Sequence, residues 1–333
     1  MNDMAPVVSV KDLRVRFTTP DAVVSAVNGI SFDLKAGRVL GILGESGSGK
    51  SVTLRALIGL LPPRRSRIEG HIAVAGHNVT KMSDAELREV RGTKIAMIFQ
   101  EPMTALDPVF TIGEQIAETI VRHEGVSRDA AYRRALELLE MVQIPSAARR
   151  LKAYPHEMSG GMRQRAMIAL ALSCRPAVLL ADEPTTALDV TVQIQIIVLL
   201  RQLQQELGMA VVFVTHDVGV AAEVADRIAV MYAGRFVETG PTDSVIRSPS
   251  HPYTAGLLAS TVLGAAHGQR LEAIPGAPPD MTSLPPGCSF APRCRFADPR
   301  CRHDLPGEYP LAADRAVRCL RVAEGEIAVT SPR

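Results

Sequence analysis

The chain has 333 residues, enough for one large α/β domain or a domain with an appendage. Its 37 Lys and Arg against 35 Asp and Glu leave a net charge of +2, so no overall field draws nucleic acid or anionic lipid. Hydrophobic residues at 47% exclude wholesale disorder, and aromatics at 4% with no tryptophan leave little for base stacking. No apolar run reaches the roughly 18 residues a spanning helix needs. Residues 1–10 lack the basic start and apolar stretch of a secretion signal. The five cysteines are therefore expected in a reducing cytosol, where structural disulfides are rare.

Short alternating or apolar runs at 7–17, 22–34 and 38–43 predict strands. A glycine-rich turn at 44–51 leads into helical composition at 52–61. Ser83 followed by Glu86 is a capping-box start for a short helix, and 94–99 predicts a buried strand. Beyond 101 the texture turns helical, with apolar positions at period 3.6 in 111–122 and 127–142. With the helix that runs on to Cys174, this block predicts an inserted helical subdomain at about 101–174. Strand 177–181, helix 190–207 and strands 209–215 and 227–232 follow. Such alternation implies a largely parallel sheet covered on both faces. The composition shifts near Ile274. Nine of the 23 prolines lie between Pro275 and Pro310, with three of the five cysteines. That stretch predicts a small irregular appendage, not a continuation of the sheet, whose fold rests on something other than a hydrophobic core.

Gly44-Glu45-Ser46-Gly47-Ser48-Gly49-Lys50-Ser51 fits G-x-x-x-x-G-K-[ST]. The glycines let successive N–H groups face one phosphate chain, and the following helix adds its positive end. Lys50 can reach the β- and γ-phosphates of a nucleotide, and the Ser51 hydroxyl can ligate Mg²⁺. Such a loop needs a carboxylate at the end of a neighbouring buried strand. Asp182 supplies it, followed by Glu183, which is placed to orient and polarise the attacking water. Met158-Ser159-Gly160-Gly161-Met162-Arg163-Gln164 brings a hydroxyl, free N–H groups and a helix dipole to a second anion site. One chain thus holds halves of two sites. The economical solution is a head-to-tail dimer that sandwiches each ATP between one chain's glycine-rich loop and the other's Ser159 segment.

With these motifs the chain resembles an ATP-binding cassette (ABC) ATPase over roughly residues 7–250. The resemblance implies an α/β P-loop fold with a mostly parallel sheet, an antiparallel β subdomain and the inserted helical subdomain. It assigns Gln100 to Mg²⁺, the attacking water and the membrane partner, and Asp189 to a D-loop that opens with Thr186 instead of the usual serine. His216 would contact the γ-phosphate, and Phe17 would stack on adenine. Gly160, Gly161 and Gln164 join Ser159 on the nucleotide. The finer resemblance, carried by residues 99–108, 154–161, 185–193, 251–254 and 284–288, is to the oligopeptide/dipeptide importers, a family that also includes nickel importers. It divides the chain into an ATPase domain at 1–250 and a family-specific C-terminal region at 251–333. It also implies a second homologous ATPase, two integral membrane permeases and an extracytoplasmic solute-binding protein, with this chain peripheral on the cytoplasmic face of the inner membrane. Met103-Thr104 resembles the first ATPase of such a pair, so a heterodimer is expected. Soluble ABC proteins usually carry two cassettes or long coiled coils. Neither is present, which leaves a soluble role as the alternative.

Cys288, Cys294, Cys301 and Cys319 are spaced C-x5-C-x6-C-x17-C, without the paired spacing of a typical zinc site. Four thiols in a Pro-rich, core-poor segment suit tetrahedral Zn²⁺, an iron–sulfur cluster, or no metal at all. The resemblance favours a [4Fe-4S] cluster, since relatives hold one in this tail. Cys174 falls on an apolar helix face and reads as packing.

Overall fold

The structure is a computed structural model and describes residues 5–186, 188–261, 273–312 and 314–329. Ala187, within the D-loop-like segment, lies outside the described residues. In chain order the strands are β1 (Val8–Thr18), β2 (Val23–Leu34), β3 (Val39–Leu43), β4 (Ser66–Val74), β5 (His77–Asn78), β6 (Ile95–Ile98), β7 (Val178–Asp182), β8 (Ala210–Thr215), β9 (Arg227–Tyr232), β10 (Arg235–Pro241), β11 (Tyr309–Ala312) and β12 (Arg315–Val317). The order β9-β3-β8-β7-β6 is parallel throughout. Its strands are buried at nearly every position, which is why they read as unbroken apolar runs.

Alternate residues of each strand feed two separate cores. Leu40 and Ile42 of β3 join one, Val39 and Leu43 the other. On the first face lie the Lys50–Leu57 helix and an antiparallel sheet in the order β2-β1-β4-β5. On the second lie the Ile112–Glu124, Arg128–Met141, Gly160–Leu172 and Val190–Leu207 helices. The helix starts follow local chemistry. Thr111 with Glu114, and Ser83 with Glu86, form capping boxes, while Ser127, Ser159 and Asp189 each cap by accepting from a backbone N–H.

The C-terminal region corrects the expectation of an appendage unrelated to the sheet. β9 pairs with β10 antiparallel, which leaves β10 an open edge; β12 pairs along it, Glu238 opposite Val317, and β11 adds outside β12. An unpaired edge presents free backbone donors and acceptors, and the tail hairpin satisfies them. Pro310 stands on β11, the outermost strand, where its missing N–H costs no ladder bond. The region also shares the main core: Phe290 is 4% exposed and packs with Tyr232 and Tyr253. The Glu238 carboxylate is fully buried and accepts from the Ser250 and His251 N–H groups, each at 2.9 Å, and from Arg315 at 3.0 Å. Arg315 thereby ties the hairpin to β10.

Candidate functional site

Parallel order brings the loops after β3, β6, β7 and β8 to one edge of the sheet, where α/β sheets bind ligands. After β3 the chain turns through Gly44 and Gly49 at φ of 155° and 107°. Space dictates both. A Cβ on Gly44 would stand 2.2 Å from the Met231 carbonyl oxygen, and one on Gly49 would stand 2.3 Å from that of Ala26. The turn leaves Ser46, Gly47, Gly49, Lys50 and Ser51 lining an open cleft of about 540 Å³. The helix begins at Lys50, two residues before the helical composition suggested, so its N-terminal end forms part of the turn.

Lys50 is 5% exposed, and its ammonium donates to the carbonyls of Gly44 (2.7 Å) and Glu45 (3.0 Å). One of its three N–H groups remains. Burial pulls its pKa down, against Glu183, Asp182 and Glu45, which raise it. Ser48 Oγ is buried without a hydrogen-bond partner. A spare ammonium hydrogen and an orphan hydroxyl in a glycine turn at a helix N-terminus fit a phosphate chain. Ser51 Oγ donates to Asp182 Oδ1 at 2.7 Å. Burial raises the Asp182 pKa, with the Ser51 hydrogen bond opposing it. These adjacent hard oxygens could hold Mg²⁺.

Glu183 takes a left-handed backbone, φ 45°, which costs a non-glycine residue about 1 kcal/mol or more. Its N–H donates to the Val214 carbonyl at 3.0 Å. Three groups meet at its Oε2: Gln100 Nε2 at 3.3 Å, Thr186 Oγ1 at 3.0 Å and His216 Nδ1 at 3.2 Å. All four residues line the cleft. The topology explains the meeting, because Gln100, Glu183 and His216 follow the adjacent strands β6, β7 and β8. Sequence reasoning noted Thr186 only for its loop. It did not find Val24, Ala26 and Met281, which also line the cleft.

Other expected residues lie elsewhere. Ser159 and Gly160 are exposed at the start of their helix, and Ser159 Oγ accepts the Met162 N–H. A Cβ on Gly161 would come within 2.7 Å of Val192 Cγ1, so its smallness lets two helices meet. Gln164 is 1% exposed and its amide nitrogen has no partner, so it belongs to the interior rather than to the exposed end. Asp189 caps its helix through the Val192 N–H. Phe17 is half-buried against the core beneath β1 and does not line the cleft.

Cys288, Cys294, Cys301 and Cys319 are half-buried and line one cavity of about 20 Å³. Burial pushes the Cys288 thiol up to about 11 and raises those of Cys294 and Cys319. The N–H groups of Phe290 and Phe296 point at the sulfurs of Cys288 and Cys294, and those of Val322 and Arg321 at Cys319. Among the described residues, no three His, Cys, Asp or Glu side chains are arranged to hold a metal ion.

The ABC transporter family profile matches residues 27–186, and the profile of the oligopeptide/dipeptide transporter C-terminal region matches 237–301. The dipeptide transport ATP-binding protein DppD of Bacillus subtilis is 47% identical over 98% of both chains. The oligopeptide transport ATP-binding protein OppD of Haemophilus influenzae is 48% identical over 90% of this chain and 92% of its own. The chain belongs to the ATP-binding subunits of oligopeptide/dipeptide ABC transporters. Among solved structures, a dimer of the ATP-binding cassette MJ0796 in a post-hydrolysis state with ADP and phosphate is 32% identical. It covers 71% of this chain and 98% of its own at a TM-score of 0.63. The chemistry of this ABC subunit is ATP binding and hydrolysis. The C-terminal profile begins inside β10, ahead of the boundary expected at 251, so it takes in the strand on which the tail hairpin is built.

Proposed function

We propose that this chain is the motor of an importer of di- or oligopeptides, held at the cytoplasmic face of the membrane by two permease subunits. The near end-to-end likeness to a dipeptide transport ATP-binding protein carries the reading. No helix among the described residues is long and apolar enough to cross a membrane, so the pore falls to other chains. Docking has a candidate surface beside Gln100. Met103, Val109 and Phe110 are 43%, 70% and 49% exposed, and Gln115 braces the turn beneath them through Asp107 and Phe110.

In this reading the phosphates of ATP lie along Gly44–Ser51 against Ser48 Oγ and Lys50. Ser51, Asp182 and Gln100 would hold Mg²⁺, which would supply positive charge against the phosphates. Glu183, fixed by Thr186, orients the attacking water, and His216 faces the γ-phosphate. The corresponding segment of a second, homologous ATPase closes the site in a heterodimer, this chain's Ser159, Gly160 and Gly161 close the partner's site, and an extracytoplasmic solute-binding protein delivers cargo to the permeases. For the tail we propose an iron–sulfur cluster on Cys288, Cys294, Cys301 and Cys319 in preference to zinc. Four soft thiols lining one cavity, with N–H groups aimed at three of them, suit clustered thiolates. Iron and sulfide are then expected in anaerobically purified protein; absence of both overturns that part.

The test of function is uptake of labelled di- and oligopeptides by cells lacking this chain and redundant importers. Uptake restored by wild type but not by Glu183→Gln is expected. Unchanged uptake in the deletion discards the peptide cargo and turns the search to nickel and other small solutes.

A further inference from the structure

The phosphate turn is gripped from outside the ATPase core. Arg293 ends a short turn, Ala291–Arg293, one residue before Cys294. Its side chain is 5% exposed and takes both carboxylate oxygens of Glu45, with Nη1 at 2.7 Å and Nη2 at 3.0 Å. Nη1 also donates to the Tyr232 hydroxyl at 3.3 Å, and Nε to the Pro275 carbonyl at 2.9 Å. A second contact holds the backbone of the same residue: the Glu45 N–H donates to the hydroxyl of buried Tyr253 at 2.9 Å. Tyr232, Tyr253 and Phe290 pack together, with ring centroids 4.5–5.4 Å apart, and form the seat for the guanidinium.

Glu45 is an electrostatic oddity, a carboxylate inside a turn shaped for phosphates. It does not line the cleft, because Arg293 neutralises it and draws it aside. Left free, its charge would repel the incoming anion across a short, partly buried distance. A planar fork answers two carboxylate oxygens at once, which an ammonium cannot do.

We propose that Arg293 is a positioning residue of the nucleotide site: it neutralises and restrains Glu45, so the C-terminal region sets the affinity of the phosphate turn for nucleoside phosphates. The inference rests on residues 44–51 being that turn. Binding by wild type tests the turn, and the difference between variants tests the clamp.

The experiment is calorimetric titration of the full chain with Mg-ADP, alongside thermal unfolding of each variant. Arg293→Gln is expected to weaken binding on the order of tenfold, through repulsion between the freed, partly buried Glu45 carboxylate and the phosphates. Adding Glu45→Gln removes the stranded carboxylate, so the double variant should bind more tightly than Arg293→Gln alone. A merely structural role would not give that recovery. Arg293→Lys keeps the charge without the fork and should fall between wild type and Arg293→Gln. It replaces Arg293→Gln in the pairing if the latter does not fold. Wild-type affinity in the Arg293 variant, or a double variant no better than the single one, overturns the proposal. Failure of wild type to bind overturns the turn itself and the clamp with it.

Discussion

His251 is 1% exposed at the start of the Pro252–Ala259 helix, which packs on β10, and both of its ring nitrogens are engaged. Nδ1 accepts the Tyr253 N–H at 3.0 Å, and the other nitrogen donates to the Arg318 carbonyl. That is the pattern of the neutral ring. A proton on Nδ1 would face the Tyr253 N–H and would be buried. Burial accordingly pulls the pKa from 6.5 to about 3. Between those values the unfolded chain takes up a proton that the folded one refuses, so this contribution is complete above pH 6.5 and is lost as the pH falls. At pH 5 the loss is about 2 kcal/mol, one and a half units at about 1.4 kcal/mol each. Urea unfolding at pH 7.5 and pH 5 measures it in wild type and in His251→Asn, which keeps an acceptor for the helix start but does not titrate. The other groups titrate alike in both chains, so wild type should lose about 2 kcal/mol more than the variant over this interval. Equal losses would refute the argument.

The phosphate turn predicts unequal tolerance among its glycines. Gly49→Ala forces a Cβ to 2.3 Å from the Ala26 carbonyl oxygen and should abolish Mg-ADP binding, whereas Gly47→Ala meets nothing within 4 Å and bears only backbone strain of about 1 kcal/mol. Titration of both variants checks this, and equal losses contradict it. Arg315→Met strands the buried Glu238 carboxylate with two backbone donors, which should cost about 3 kcal/mol in chemical denaturation. A change under about 0.5 kcal/mol, the range of an exposed pair, would show that Arg315 does not anchor the hairpin.

Much of the nucleotide site was legible because its parts are local. The residue types of 44–51 force the turn, and Asp182 and Glu183 end a wholly apolar strand. The convergence on Glu183 Oε2 was not local: it needs β6, β7 and β8 side by side, and no spacing along the chain gives Thr186 its place there. β4 was missed because Ser66–Val74 is mostly half-exposed, carries Arg67 and Glu69, and bends at Gly70 with φ 96°, which blurs the alternation. The tail misled for a related reason. Proline and short apolar runs look irregular, yet β11 and β12 form on a partner strand rather than on their own propensity. Arg293 carries no motif signal either; its role exists only because Glu45, 248 residues away in sequence, folds against it.

If Glu183 drives hydrolysis at a site shared between two ATPases, the fate of bound ATP in Glu183→Gln decides it. The variant is to be assembled with its partner subunits and given a single load of radiolabelled ATP and Mg²⁺. ATP should remain uncleaved in a closed dimer of the ATPases, with transport abolished. Hydrolysis at the wild-type rate would contradict it.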